Sequence, residues 1–121
     1  MHLIPGKPFV IDHSNAQRTQ LMDIKTLDWS DELLNLFQIS KQQLPACKPV
    51  KFNYGRLLDT DIEIKAVCGD QNAVFSGSAN HRSDTAVVNL GSGAFIMCPQ
   101  SKLKSNRQLL TTIIKSDDKS A

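Results

Sequence analysis

Ile62-Glu63-Ile64-Lys65-Ala66-Val67-Cys68, followed at once by Gly69-Asp70-Gln71, is the stretch on which the reading of this chain turns. Ile62, Ile64, Ala66 and Cys68 alternate with Glu63, Lys65 and Val67, the period of a strand, and the pattern predicts full burial toward its end. Asp70 is then placed to N-cap a helix running through Asn72, Ala73, Val74, Phe75 and Ala79. Gly77 weakens that helix by about 1 kcal/mol relative to Ala, which suits close packing. Downstream, residues 85–90 and 94–98 are β-rich runs joined by Gly91-Ser92-Gly93, a hairpin signal. Strand, helix and hairpin in that order point to an α/β fold.

The same two segments carry the chemistry. Open α/β sheets place their ligands at the carboxyl ends of strands, where Asp70 falls. Asp70 has two compatible readings, a helix cap worth about 1 kcal/mol and an acid-base group facing a substrate hydroxyl. Gly91-Ser92-Gly93 also has two. It is a plain hairpin turn, or its backbone N–H groups and the Ser92 hydroxyl form a concavity for phosphate oxygens. Phe95 reads as core or as the wall of a small polyol pocket. A carboxylate facing a phosphate-binding turn is the minimum equipment of a phosphotransferase.

Upstream, Pro5, Gly6 and Pro8 give an extended lead-in to the apolar run Phe9-Val10-Ile11 and the polar cluster Asp12-His13-Ser14-Asn15. A short helix is predicted over 16–22 with Asn15 as its cap. Ser30 caps the clearest helix, Asp31 and Glu32 suit its positive end, and Leu33, Leu34 and Phe37 form its apolar face. Trp29 is read as a packing anchor for that helix. Leu44-Pro45 and Lys48-Pro49 stop it, and residues 45–58 read as irregular or edge strand. Residues 109–114 are expected to form a last strand without a partner, exposing an edge, and the tail 115–121 to fray.

Composition narrows the function. A chain of 121 residues fits one modest domain, able to bury roughly two-thirds of its unfolded surface. The net charge of +2 gives no electrostatic footprint for nucleic acid. No apolar stretch reaches the roughly 18 residues of a membrane span, and the first residues lack the basic and apolar regions of a secretion signal. Cys47, Cys68 and Cys98 show no metal or disulfide spacing, so reduced thiols and a cytoplasmic location are expected, with Cys68 and Cys98 as small apolar groups. His2, His13 and His81 have no partners at ligand spacing and read as surface or turn residues. Lys102, Lys104 and Arg107 read as a solvated loop.

The chain resembles the FGGY carbohydrate kinases, with the glycerol kinase branch nearest. Asp12-His13-Ser14-Asn15-Ala16-Gln17-Arg18-Thr19 is similar to that branch's D-x-T-N-A-S-R-T segment, and the stretch from Leu27 through Trp29 to Leu34 to its following helix entry. Leu44-Pro45, Tyr54-Gly55, Gly69-Asp70-Gln71, Gly91-Ser92-Gly93-Ala94-Phe95 and Leu109-Leu110-Thr111-Thr112-Ile113 continue the likeness in order. Ser92 stands where the family has Thr, Asn72 where a second Gln is common, Asp84 where Gly is usual and Asn89 where Thr is common.

The resemblance implies a partial actin-like (ribonuclease H-like) ATPase fold. It divides the chain into 1–75, the C-terminal part of the family's first domain, and 76–121, the first strands of its second. It implies ATP-dependent phosphoryl transfer to a sugar or polyol, glycerol favoured. Asp70 is the general base, Gln71 and Phe95 touch the acceptor, and Gly91, Ser92 and Gly93 face the nucleotide. ATP and Mg²⁺ are implied, with no protein metal ligands among these residues. The family's glycine-rich phosphate loop, acceptor-binding Arg and Glu, and adenosine-binding segment have no counterpart, so no turnover is expected from this chain alone. Two other readings stay open: a non-catalytic truncated module that needs complementary segments, and an unrelated hydrolase using Asp70, for which no nucleophile or metal set is visible.

Overall fold

Asp12 decides how the chain enters its first helix. In the computed structural model, which describes residues 3–77, 85–100, 102–104, 106–114 and 116, strand β1 (Val10–Asp12) runs straight into a short helix α1 (His13–Ala16). The Asp12 side chain accepts the Asn15 N–H and caps α1. The expected helix over 16–22 with Asn15 as cap is therefore corrected. The chain turns helical earlier, continues as a 3-10 turn (Gln17–Thr19), and stops at Gln20, which is left-handed. Thr19 explains the stop: its hydroxyl donates to the Ala16 carbonyl at 2.7 Å and accepts the Leu21 N–H at 3.1 Å. Such local bonding competes with helix propagation.

Strands β2 (Met22–Asp23) and β3 (Asp28–Trp29) then pair antiparallel, with Met22 opposite Trp29. Ser30 caps α2 (Asp31–Phe37) by accepting the Leu33 N–H, as expected, with Asp31 and Glu32 in the first turn. The apolar face is narrower than expected. Leu34 is buried, whereas Phe37 is 59% exposed, because α2 ends at a left-handed Gln38 before a second row can pack.

Ala16, Met22, Trp29 and Leu34 form the buried cluster, flanked by partly buried Ile11, Leu27, Leu44 and Ile113 among others. The Trp29 indole Nε1–H donates to the Pro45 carbonyl at 2.7 Å, which ties this cluster to strand β4 (Ala46–Lys48). Trp29 is thus the anchor that its place before α2 predicts. Strand β4 pairs with β1 in parallel, Ile11 opposite Cys47.

The span 45–58 contains more strand than expected, β4 and then β5 (Lys51–Arg56), which pairs antiparallel with β6 (Glu63–Ala66) across an irregular register. Gly55 sits in that irregularity at φ +117°, and a Cβ there would lie 2.8 Å from Ile4 Cγ2. The strand ending at Ala66 is found, but its predicted burial is not. Ile62 and Ala66 are exposed, since among the described residues β6 has β5 alone as a ladder partner.

Helix α3 (Asp70–Gly77) begins one residue earlier than expected, which corrects the reading of Asp70 as its N-cap. Asp70 lies inside its first turn, and the Gly69 carbonyl accepts the Ala73 N–H at 3.0 Å, so Gly69 holds the cap position. Strands β7 (Val87–Leu90) and β8 (Ala94–Met97) form the expected hairpin around Gly91-Ser92-Gly93.

Residues 109–114 are not a strand. Side chains of Gln17 and Asn72, rather than a neighbouring strand, take the backbone groups of Ile113. His13 is buried rather than at the surface, and Cys98 is exposed rather than packed. Lys102, Lys104 and Arg107 are exposed, as read. His2, Ala79, His81, Asp84, Lys115 and residues 117–121 lie outside the described residues.

Trp29→Ala removes the largest member of the cluster and its bond to Pro45. The variant is expected to lose about 3–5 kcal/mol of unfolding free energy in urea denaturation, and an unchanged midpoint would show that the cluster does not hold the fold.

Candidate functional site

The site begins one residue before Asp70. Asp12 at the end of β1 is 1% exposed, as is Ser14 in α1. The Asp12 carboxylate accepts the Ser14 hydroxyl, the Asn15 backbone N–H at 3.1 Å and the Asn15 Nδ2 amide at 2.6 Å. A hydroxyl has a single proton, so giving it to Asp12 leaves the Ser14 oxygen as an acceptor. The Gly69 N–H donates to it at 2.9 Å. Gly69 is packed close: a Cβ there would stand 3.6 Å from Asn15 Oδ1 and 3.9 Å from Ser14 Oγ. The polar junction of β1 and α1 thus holds the step that precedes Asp70.

Asp70 itself is exposed. Among the described residues its side chain accepts one hydrogen bond, from the Gln71 N–H at 2.7 Å. Gln71 faces the hairpin, where its Oε1 accepts Asn89 Nδ2 from β7 at 2.9 Å. In the turn, the Gly91 N–H donates to the Gly93 carbonyl at 2.8 Å. Phe95 is half exposed, and its Cε2 would lie 3.6 Å from a Cβ on Gly93, so the ring flanks the turn. The structure therefore brings Gln71 to the hairpin and Phe95 to the glycine turn. No hydrogen bond joins Asp70 to that turn among the described residues.

Three residues that position this site were not singled out from sequence. Asp12 and Ser14 appear there only within a polar cluster and a family-like segment, although Asp-x-Ser-Asn after a short apolar run is the kind of sequence that bonds its own backbone. Asn89 stands out only as a residue where Thr is common in the family it resembles.

His13, next to Asp12, is 4% exposed. Its Nδ1 lies 3.1 Å from Ser116 Oγ, which already accepts the Val50 N–H at 2.9 Å. The Ser116 hydroxyl keeps its proton and a second lone pair, so the direction of this contact follows the imidazole tautomer. Burial lowers the His13 pKa, against weaker upward pulls from Asp12 and Asp28. Elsewhere, Lys41 pairs with Asp28 at 2.7 Å, and burial pushes the Cys47 thiol up to about 11, which keeps it protonated.

One groove of about 460 Å³ is lined by Gln17, Arg18, Glu32 and Thr112 among others, and another of about 350 Å³ lies beside Trp29 and Cys47. Asp70, Gln71 and the glycine turn line neither. Among the described residues no three His, Cys, Asp or Glu side chains gather at metal-binding distance, and no helix is long and apolar enough to cross a membrane.

A model of the N-terminal domain of the FGGY family of carbohydrate kinases matches residues 2–91. Glycerol kinase 1 of Clostridium tetani is 40% identical over 118 residues, covering 93% of this chain and 24% of that protein. The glycerol kinase of Brevibacillus brevis is 38% identical over 117 residues, covering 92% and 23%. The crystal structure of Plasmodium falciparum glycerol kinase with ADP superposes with a TM-score of 0.83 at 28% identity, over 97% of this chain and 25% of that one. The chain spans about a quarter of the length of the relatives it matches. Its architecture is accordingly α/β, part of an actin-like fold.

Two measurements check the geometry. Ser14→Ala leaves the half-buried Gly69 N–H without its acceptor and should cost about 1–3 kcal/mol; amide exchange at Gly69 should accelerate, and an unchanged rate would break the link. For His13, a folded pKa below the ordinary 6.5 means that the unfolded chain binds its proton more readily. Its contribution to stability is then complete above pH 6.5 and declines as pH falls through the folded value. Urea midpoints should drop on acidification below pH 6.5, and less so in His13→Asn; equal drops would place the dependence elsewhere.

Proposed function

Because the chain belongs to the FGGY family of carbohydrate kinases, we propose that its parent protein transfers a phosphoryl group from ATP to a hydroxyl of a polyol, glycerol favoured, with Asp70 as general base. The observation that carries this reading is Asp70 itself, an open carboxylate at the first turn of α3. Ser14 fixes the residue behind it and Asn89 the residue ahead of it. A general base needs lone pairs free for an incoming hydroxyl and a backbone that does not wander.

In this reading Gln71 and Phe95 contact the acceptor, and Gly91, Ser92 and Gly93 face the nucleotide. The two turn glycines lend support. Neither is left-handed, and an added Cβ would make ordinary contacts at 3.9 Å and 3.6 Å, so neither backbone nor packing requires glycine there. Close approach of a ligand is a remaining reason for bare backbone. With Gly91 bonded to Gly93, the Ser92 hydroxyl and the amides of Ser92 and Gly93 are the donors offered to phosphate oxygens.

Phosphoryl transfer asks a protein mainly to position groups and offset charge. Asp70 accepts the proton as the acceptor oxygen attacks, and Gln71 and Phe95 orient that acceptor. Mg²⁺ carried with the nucleotide would supply charge neutralisation; among the described residues no three His, Cys, Asp or Glu side chains gather to hold it.

We keep the division at residues 75 and 76 as a proposal; the family match runs past it to residue 91. The hairpin favours a second, compatible reading in which this chain works only with complementary segments. Val88 and Leu90 are 54% and 76% exposed, and Phe95 and Ile96 are 51% and 73% exposed. With Val88 opposite Ile96 and Asn89 opposite Phe95, apolar side chains occupy both faces of the pair, a surface that calls for cover.

The test is glycerol-dependent ADP release by the purified parent protein. Asp70→Asn should lower kcat by about 10²–10⁴-fold with the KM for ATP little changed. Full turnover in that variant would remove Asp70 from the role, and turnover by the 121-residue chain alone would refute the need for complementary segments.

A further inference from the structure

Gln17 makes three hydrogen bonds with one carboxamide. Its Nε2 donates to the Ser14 carbonyl at 3.1 Å and to the Ile113 carbonyl at 3.0 Å, and its Oε1 accepts the Ile113 N–H at 2.7 Å. The two bonds to Ile113 copy what a neighbouring strand would give, which is how residues 109–114 stay ordered without a ladder. The Ile113 carbonyl accepts a second donor, Asn72 Nδ2, at 2.6 Å. Asn72 is 3% exposed and lies in the first turn of α3, two residues after Asp70. On the other side of Asp70, the Gly69 N–H is held by Ser14.

These bonds close a ring: Ser14 to Gln17, Gln17 to Ile113, Ile113 to Asn72, and α3 back through Gly69 to Ser14. Asp70 sits on this ring between two clamped residues, Gly69 and Asn72. We propose that Gln17 and Asn72 are positioning residues which, through the backbone of Ile113, fix the bearing of the first turn of α3 and so of the Asp70 carboxylate. The proposal rests on the reading of Asp70 as general base. It assigns Ile113 a task in the site through hydrogen bonds that reach Asn72 rather than Asp70. Misplacing a reacting group by about 1 Å can cost 10²-fold in rate, so a brace of this kind has catalytic weight without contact.

Ser116 extends the same strap. Its hydroxyl accepts the Val50 N–H, its carbonyl accepts the Lys51 N–H at 3.0 Å, and His13 lies against it. The strap is thereby tied down beyond Ile113, so pulling on Asn72 pulls against a fixed point rather than a loose tail.

Two nearly isosteric changes remove donors while keeping shape. Gln17→Glu keeps the acceptor for the Ile113 N–H and loses both Nε2 donations; Asn72→Asp loses the Nδ2 donation. Amide exchange in the 121-residue chain should accelerate about tenfold at Gly69, Asn72 and Ala73 in each variant, the loss of roughly one hydrogen bond, with β5 and β6 unaffected. The double variant should be no faster than the faster single one, since both break one ring. In the parent protein, the same changes should lower kcat by about 10- to 100-fold with the KM for ATP unchanged. Unchanged exchange at α3 would overturn the clamp. Acceleration throughout β5 and β6 would reduce it to general stability and overturn positioning. Local acceleration with kcat intact would overturn its catalytic purpose. A wild-type parent that transfers no phosphoryl group would instead sink the reading of Asp70, and the proposal's purpose with it, while exchange still reports whether the ring holds α3.

Discussion

The hydrogen bond from the Gly69 N–H to the Ser14 hydroxyl, with Asp12 behind it, is the constraint on which the site depends. It joins residues 55 positions apart, helix α1 to the start of α3. Its strength comes from burial. Asp12 and Ser14 are almost wholly out of water, where a missing partner costs the full desolvation of the group left over. A relay of this kind has one satisfied arrangement, so it specifies geometry more than it adds stability.

That specificity matters because the apolar core is small. Four buried side chains form its centre, and among the described residues the strands pair only two by two. Two-stranded sheets are marginal in water by themselves, and a parallel pair such as β1 with β4 normally has both faces covered. Here one face leans on the cluster around Trp29, while the β7–β8 hairpin carries apolar groups outward on both sides. The side-chain clamps at Ser14, Gln17 and Asn72 do for this chain what longer ladders do in larger sheets. They pin backbone that has too few strand partners.

Elements set by local chemistry were legible in the sequence. Ser30 caps α2 because its hydroxyl sits three residues from a waiting N–H, and the hairpin forms because two β-rich runs flank a glycine turn. The start of α3, to within one residue, and the anchoring role of Trp29 were also readable. What failed was set by distant partners. Residues 109–114 have the composition of a strand, yet Gln17, some 96 positions away, takes the bonds that a strand would offer to a neighbour. Burial of β6 and of Phe37 was overestimated for the same reason, since periodicity names a face but not what covers it. His13 was read as a surface residue because nothing near it in sequence reveals Ser116.

The contrast between Asp12 and Asp70 shows why two carboxylates on neighbouring elements have different tasks. A carboxylate offers about four lone-pair sites. At Asp12, three are taken by Ser14 and Asn15, and the side chain is closed to solvent. A fourth partner would have to enter a packed turn, so Asp12 is fit to hold structure and unfit to take a proton from a substrate. At Asp70, among the described residues one is taken, by the Gln71 N–H, and the residue is exposed. The first carboxylate is fully committed so that the second can remain open without drifting. An exposed side chain on an unbraced helix end would spread over many bearings, and only a small fraction would suit the proton abstraction proposed for Asp70. Openness at Asp70 is useful because Asp12, Ser14 and Gly69 are closed.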